Sequence, residues 1–528
     1  MSERQTSAVQ NGVRRALARA DLWSNRLYTW KHNPLYQSGT IVVLTLAIML
    51  ATGLYLVLFY RIGSPYESVA RISAQAFTGR WMRSLHRYAA DVALVAAAIH
   101  ALRMFAQGRS WGPRTLAWVS GLFLVFLMYV CGWTGYVMVW DVQAQILAVE
   151  GARILDVLPI FAVPVSRAFV GETPMPGAFF FLNLFLHIAV PVGLAIVLWL
   201  HVSRIARPVI LPPKGLLWGT TGVLFVLAIL WPAPLDAPAD LLALPGPVST
   251  DWFYAFWLPL SRSLSPWFAW AMITGGTAVL VAVPLWTRPR AENQLPKSVV
   301  NERFCTECNQ CYVDCPYDAI RMIERSDGRD GLVANVDPAL CVSCGICAGS
   351  CTPMGVGPPL RTGRDQLERV QSFIDTHQWG PRDIVLVSCE RGARLAAEDS
   401  DLDGVPTFPV PCVGNLHTSV VEYLVRSGAG GVLIVSCPPR DCWSREGPGW
   451  LGERLFRDRA AELKERVDKR RVRVAHAAEG EQAVLAAAIR ECFEHVLTLE
   501  AAEAEERIVI DLECEVPSIE VTGGVEAS

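Results

Sequence analysis

Four histidines carry the first chemistry legible in this chain. His86 and His100 lie on one apolar stretch and His187 and His201 on another, each pair 14 residues apart. Ionisable groups inside a membrane span are costly and by default functional. Fourteen residues at 100° each return to within about 40° of the same face and rise about 21 Å, so each helix offers one imidazole near each membrane surface. The two helices run in the same direction, which sets His86 opposite His187 at the outer level and His100 opposite His201 at the inner level. Imidazoles paired in this way are expected as axial ligands for two bis-histidine haems stacked across the membrane. Glycines repeat the interval, at Gly39 and Gly53 and at Gly121 and Gly135. A glycine lets a porphyrin edge lie against a helix. Any one of these residues could be an ordinary packing position; eight sharing one interval could not.

Cysteines supply the second chemistry. Cys305, Cys308, Cys311 and Cys315 precede Pro316, and Cys341, Cys344, Cys347 and Cys351 repeat the same spacing. In a bacterial two-cluster arrangement the fourth cysteine of each run ligates the other cluster. One [4Fe-4S] set is therefore Cys305, Cys308, Cys311 and Cys351, and the other is Cys341, Cys344, Cys347 and Cys315. Zinc is the rival, but its motifs seldom place three cysteines so close together. Thr352 stands where such runs usually have proline. Further on, Cys389, Cys412, Cys437 and Cys442 sit at the ends of strand-like runs, where parallel α/β folds place their sites. Four thiolates there could hold a [2Fe-2S] cluster. Buried structural thiols, the reading given to Cys492 and Cys514, are the alternative.

These residues need elements to position them. The chain has 528 residues, 52% of them apolar, with a net charge of -3. Six apolar stretches, at 40–60, 88–105, 116–137, 179–202, 216–231 and 267–286, approach the roughly 20 residues of a spanning helix. Basic residues bias one side: Arg14, Arg15, Arg19, Arg26 and Lys31 before the first span, Arg103, Arg109 and Arg114 after the second, and Arg204, Arg207 and Lys214 after the fourth. Six spans return the chain to its starting side, so both the N-terminus and everything after Arg290 are expected in the cytoplasm of a bacterial or archaeal cell. Fourteen of the fifteen cysteines follow the last apolar stretch, as suits a reducing compartment. Basic runs are short and sit beside apolar stretches, giving no reason to expect nucleic-acid binding.

The expected fold is multi-domain. An all-α transmembrane haem-binding bundle (40–290) follows an amphipathic N-terminal segment (1–39). After it come an α+β ferredoxin-like two-cluster domain (291–365), a small α/β domain (381–500) and a tail (501–528). In the α/β domain, 384–388, 431–436 and 472–476 read as strands, and 418–426 and 480–497 as helices.

The segments Gly79-Arg80-Trp81-Met82-Arg83-Ser84-Leu85-His86 and Gly135-Tyr136-Val137-Met138-Val139-Trp140-Asp141, with the paired spacings, resemble the cytochrome b of quinol-oxidising bc and b6f complexes over about residues 20–290. Val139 departs from the family's usual proline. The resemblance implies quinone as membrane substrate and haem propionates held by Arg83 or its neighbours. Thr250-Asp251-Trp252-Phe253-Tyr254 resembles the family's Pro-Glu-Trp-Tyr outer quinol site, which implies roles for Asp251 and Tyr254; an interfacial aromatic belt is the plainer reading. The segments around Cys412, Cys437 and Cys442 resemble the delta subunit of methyl-viologen-reducing hydrogenase over about residues 381–500. That resemblance implies a [2Fe-2S] cluster and a cytoplasmic flavin and iron-sulfur partner of heterodisulfide-reductase type, although Gly392 stands where the family's first motif has a second cysteine. The expected protein is a quinone-linked oxidoreductase subunit in a multi-subunit complex, its dimerisation left open. Alternatives are an anchor for a hydrogenase or formate dehydrogenase, or a membrane redox sensor.

Overall fold

A computed structural model describes residues 7–160, 162–170, 175–203, 208–243, 248, 251–290, 292, 294–392, 405–457, 459 and 461–514, with backbone alone at 260 and 504–514. Arg204, Arg207, Thr250 and the tail beyond 514 lie outside the described residues. The chain divides into two compact units, Met1–Gln294 and Leu295–Ser528.

The first unit is helical: α1 (Ala8–His32), α2 (Ser38–Phe59), α3 (Pro65–Ala74), α4 (Gly79–Ala106), α5 (Thr115–Val137), α6 (Val142–Asp156), α7 (Gly177–Ser203), α8 (Lys214–Leu230), α9 (Leu258–Ser263) and α10 (Pro266–Thr287). Among the described residues, five helices are long and apolar enough to cross a membrane: α2, α4, α5 with the 3-10 turn before it, α7 and α10. The sixth expected stretch is present as a shorter apolar helix, α8. At 17 residues, α8 extends about 26 Å, short of the roughly 30 Å hydrocarbon core. Prolines limit it: Pro212 and Pro213 precede it and Pro232 and Pro234 follow it, and proline cannot continue a helix. α2 packs chiefly on α4, and α5 on α7. Arg103 is also reassigned. Instead of lying in a loop it is buried inside α4 and paired with Asp21 of α1 at 2.5 Å, because the N-terminal helix docks on this end of the bundle.

The second unit holds two short antiparallel pairs and a parallel sheet. β1 (Val299–Val300) pairs with β4 (Val356–Gly357), and β2 (Ile320–Glu324) with β3 (Leu332–Val336). The one-turn helices α11 (Gln310–Val313) and α12 (Ile346–Gly349) carry the middle of each cysteine run, and α13 (Gly363–Asp375) leads on to the sheet. β5 (Ile384–Cys389), β6 (Thr407–Val410), β7 (Gly431–Ser436) and β8 (Val472–His476) form a parallel sheet in the order β6-β5-β7-β8. It is covered by α14 (Thr418–Arg426), α15 (Gly447–Phe456) and α16 (Gln482–Cys514). β5 and β7 are buried along their whole length, as continuous apolar runs in a parallel sheet should be. β6 has no counterpart in the sequence expectation. It is four residues long, contains Pro409 and lies at the sheet edge, where proline is tolerated.

Candidate metal centres

The two helix pairs bring each of the four glycines against one of the four histidines. A β-carbon at Gly39 would lie 2.9 Å from His100 Nδ1, at Gly53 3.2 Å from His86 Cε1, at Gly121 3.3 Å from His201 Cε1, and at Gly135 2.8 Å from His187 Cε1. Any side chain would therefore displace an imidazole. From sequence the glycines are expected to face a porphyrin edge; the structure shows that it is the imidazole rings themselves that they admit.

A hydroxyl residue precedes every one of these glycines: Ser38, Thr52, Ser120 and Thr134. Thr52 Oγ1 lies 2.9 Å from His86 Nδ1 and donates its own proton to the Ile48 carbonyl at 2.7 Å. Ser120 Oγ lies 3.0 Å from His201 Nδ1 and donates to the Ala117 carbonyl. His187 Nδ1 is 2.9 Å from the Cys131 carbonyl and 3.2 Å from Thr134 Oγ1. A carbonyl only accepts, and each hydroxyl has already given its hydrogen to a carbonyl, so Nδ1 must be the donor. The tautomer so fixed leaves Nε2 as a lone-pair ligand, the usual way a second group orients a metal-binding imidazole. Ser38 Oγ, the fourth member, is buried without a hydrogen-bond partner among the described residues. The His86 and His187 ring centroids are 6.2 Å apart, and His100 and His201 are close enough to interact electrostatically. Pro191 within α7 cannot donate to the carbonyl four residues earlier, that of His187, and Cys131 Sγ lies 3.9 Å from this oxygen. Two levels of paired, pre-oriented imidazoles with glycine-cleared walls fit bis-histidine haems.

On the outer side, as counted from sequence, Asp251 is 9% exposed. It accepts from Arg87 Nη2 at 2.6 Å, from the Tyr136 hydroxyl, and from the Phe253 and Tyr254 amides at 2.8 and 2.7 Å. Burial pushes its carboxyl pKa up, but the Tyr136 hydroxyl, the amides and Arg87 outweigh this and hold it below the usual carboxylate range. Tyr254 is buried, donates to the Ala90 carbonyl at 3.2 Å, and fills the space left by Gly132, where a β-carbon would lie 2.1 Å from its ring. Arg87 follows His86 in sequence, and Tyr136 follows Gly135, so the Asp251 loop is tied to the outer histidine level. Arg87 Nε is 3.9 Å from Asp91 Oδ2, and Asp91 Oδ1 is buried without a partner. Arg83 spends its guanidinium on the Ala233 and Pro234 carbonyls, at 2.9 and 2.7 Å, and on Ser73, anchoring the segment after α8.

In the second unit, Cys351 and Cys311 share an electrostatic neighbourhood with Cys305 and Cys308. Cys315 neighbours Cys341, and Cys347 neighbours Cys344 and Cys341. A cavity is lined by Cys315, Cys341, Cys344 and Cys347, with Ser298 and Tyr317. Sulfur atoms accept from backbone amides: Cys315 from Ala319 at 3.4 Å, Cys341 from Ser343 at 3.4 Å and Cys351 from Gly355 at 3.2 Å. Ser298 Oγ is 3.4 Å from Cys347 Sγ. Such bonds favour thiolate and tune cluster potentials. Burial, with neighbouring thiols, pushes Cys311 up to about 12, so iron must displace protons to bind there.

At the carboxyl end of the parallel sheet, Cys389 Sγ is 3.5 Å from Cys437 Sγ. Cys442 hydrogen-bonds with both Cys412 and Cys437. Gly447 leaves the thiols room, since a β-carbon there would lie 2.9 Å from Cys412 Sγ and 3.4 Å from Cys442 Sγ; one at Gly392 would lie 3.4 Å from Cys437 Sγ. The position that usually carries the family's extra cysteine thus faces this same thiol group. Cys492 is 1% exposed in the apolar core, and burial raises its thiol to about 11.

Residues with no sequence signal tie the cluster loops to the sheet. Asn415 Nδ2 donates to the Gly345 and Arg361 carbonyls at 2.9 and 3.0 Å. His417 Nε2 is 3.2 Å from the Cys351 carbonyl. Arg454, 1% exposed, donates to the Trp450 and Gly414 carbonyls at 3.0 and 2.8 Å. The hydroxyls before the four glycines did leave a signal, because they repeat with the glycines.

Comparison with known proteins matches three families to the chain. Cytochrome b/b6/petB covers residues 25–208, the 4Fe-4S dicluster domain covers 304–355, and the methyl-viologen-reducing hydrogenase delta subunit covers 384–500. The menaquinol:cytochrome c reductase cytochrome b subunit of Bacillus subtilis (strain 168) is 29% identical over 145 residues, 27% of this chain and 65% of that protein. The same subunit of Geobacillus thermodenitrificans is 27% identical over 176 residues, 32% of this chain and 79% of that protein. Cytochrome b6 of Heliobacterium mobile is 31% identical over 130 residues, 24% of this chain and 61% of that protein. The chain therefore spans just under two thirds of the Bacillus subtilis relative. A solved chain of a hyperthermophilic respiratory Complex III aligns with a TM-score of 0.40 and 16% identity, over 54% of this chain and 85% of that one. The chain is a fusion of a cytochrome b/b6 domain, a 4Fe-4S dicluster domain and a hydrogenase-delta-subunit domain. With its apolar helices, that combination marks a membrane electron-transfer subunit of the oxidoreductase kind.

Proposed function

We propose that the chain carries electrons between the quinone pool and a cytoplasmic iron-sulfur flavoprotein of heterodisulfide-reductase type. The observation that carries this reading is the presence, in one chain, of two histidine pairs, with His86, His187 and His201 held through Nδ1, and of three sets of neighbouring cysteines. When bound, haems and iron-sulfur clusters supply one-electron carriers. His86 with His187, and His100 with His201, hold the haems. Cys305, Cys308, Cys311 and Cys351 hold one [4Fe-4S] cluster, Cys341, Cys344, Cys347 and Cys315 the other, and Cys389, Cys412, Cys437 and Cys442 a [2Fe-2S] cluster.

Quinol oxidation releases two protons and two electrons. The outer quinone site lies around Asp251 and Tyr254. Asp251 fixes the loop through four hydrogen bonds, and its partner Arg87 faces Asp91, whose buried Oδ1 can take a proton. The basic residues before α2 support a cytoplasmic reading of the second unit. This orientation requires α8 to cross the membrane as well, since five crossings would separate the two ends of the chain.

The test is anaerobic mixing of the purified full-length protein with menaquinol. Reduction of b-type haem within turnover time, followed by cluster reduction seen by electron paramagnetic resonance, is expected. Haem that stays oxidised with menaquinol, and stays reduced with menaquinone, overturns the quinone link. Copurified nickel in place of flavin would favour a hydrogenase anchor, for which the delta-subunit match also speaks.

A further inference from the structure

Arg454 is one of the largest fully buried side chains in the protein. It comes from α15, and its Nη1 lies against Gly349, where a β-carbon would be only 1.8 Å away. Gly349 stands midway between Cys347 and Cys351, which belong to different cysteine sets. Nη2 bonds the Gly414 carbonyl, two residues past Cys412. A single guanidinium is therefore wedged between the loop carrying Cys347 and the loop carrying Cys412, and both thiols contribute to its electrostatic surroundings.

A buried charge needs an opposite charge or full hydrogen bonding, and Arg454 has only part of either among the described protein groups: Asp314 is near enough to act on it electrostatically, and one of its nitrogens stays unbonded. Nη1 is buried with no hydrogen-bond partner. Asp314, the acid that acts on it electrostatically, is shared with Arg459 at 2.8 Å and the Ser350 hydroxyl at 2.6 Å. The guanidinium bridges backbone on two sides, at Gly349 two residues past Cys347 and at Gly414 two residues past Cys412. Iron held by four thiolates carries net negative charge, and net charge is one of the determinants of cluster potential.

We propose that Arg454 is the shared counter-ion of two adjoining iron-sulfur sites, the Cys315, Cys341, Cys344, Cys347 set and the Cys389, Cys412, Cys437, Cys442 set, and that its charge makes both easier to reduce. The proposal rests on the reading that both sets hold clusters. It also gives the C-terminal thiols a reason to sit near a cation that Asp314, shared with Arg459 and Ser350, neutralises only in part. Electrostatic coupling of this kind means that an electron placed on one site makes the other harder to reduce.

The experiment uses full-length wild-type protein, Arg454→Gln and Arg454→Lys, purified anaerobically. Iron and sulfide are counted first, and each paramagnetic signal is then titrated against potential. Two signals should move to lower potential in Arg454→Gln and lie near the wild-type values in Arg454→Lys, while the signal of the Cys305, Cys308, Cys311, Cys351 set moves less. Loss of clusters in Arg454→Gln with retention in Arg454→Lys supports the counter-ion role equally. Unchanged potentials in Arg454→Gln, or equal damage in both variants, overturn it and leave the guanidinium a hydrogen-bonding strut. A wild-type protein without a binuclear signal instead overturns the cluster reading beneath the proposal.

Discussion

Arg87, the residue after His86, donates a 2.6 Å hydrogen bond to Asp251, 164 positions further along the chain. The loop carrying Asp251 is thereby fastened at the outer histidine level, and Tyr136, next to Gly135, fastens it from α5. Asp251→Asn keeps the shape but removes the charge facing Arg87 and the capacity to act as a base. Menaquinol-driven haem reduction is expected to slow by roughly 10²-fold or more, with haem absorbance and iron content unchanged, in stopped-flow measurements. A rate equal to wild type would place the working quinone site at the inner level.

The pH dependence of this contact has a defined sign. The Asp251 pKa is depressed by folding, so its stabilising contribution is complete above the unfolded value of about 3.9 and is lost only as pH falls through the lower folded value. Between about pH 5 and 9 no titration of the rate should trace to Asp251. A limb in that window that disappears in Asp251→Asn would contradict the assignment.

Each histidine pair should account for one haem. His100→Ala or His201→Ala should remove one of two components in a redox-titrated absorbance spectrum, and His86→Ala or His187→Ala the other. Gly135→Val, which drives a side chain onto His187, should mimic the outer pair. Retention of both components in every variant would refute the pairing.

The Nδ1 tethers make a finer prediction. Thr52→Val removes the hydroxyl beside His86 Nδ1, and loss of an orienting partner of this type typically costs about 10- to 100-fold in metal affinity. Thr134→Val should cost less, since the Thr134 hydroxyl sits farther from its ring, 3.2 Å against 2.9 Å for Thr52, and His187 keeps the Cys131 carbonyl at 2.9 Å. Haem retention after detergent dialysis, compared between the two variants, checks the order.

Much of this site was legible because its spacing is dictated by regular geometry. His86 and His100 must be 14 apart to share a helix face across a bilayer, and iron-sulfur cubanes impose the cysteine interval. Contacts made across helices leave fainter traces. Ser38, Thr52, Ser120 and Thr134 repeat with the glycines, but their meaning depends on which ring each one meets. Asn415 and Arg454 act on segments 70 and 40 residues away, a relationship no local pattern encodes. β6 escaped because four residues containing a proline carry too little periodicity. α6 was missed because its 15 residues include Glu150, Arg153 and Asp156 and so fail the test for a membrane span.

Non-haem iron should be close to ten atoms per chain, with equal sulfide, if two cubanes and one binuclear cluster are present. Cys412→Ser or Cys437→Ser should lower both by about two while sparing the cubane signals. Eight atoms in wild type would leave the sheet-end thiols without a cluster.

Asn415 bonds the Gly345 and Arg361 carbonyls, and His417 reaches the Cys351 carbonyl, so the ferredoxin-like loops and the parallel sheet share one polar seam. For biogenesis this means that neither half is a finished scaffold while the other is still being made. The ribosome must release residues beyond 417 before the loops around Cys344 and Cys351 gain their final supports. Cofactor insertion into those loops is then best deferred until the C-terminal half has been synthesised, and a cut in the chain between the two halves would expose the seam without yielding two independent proteins.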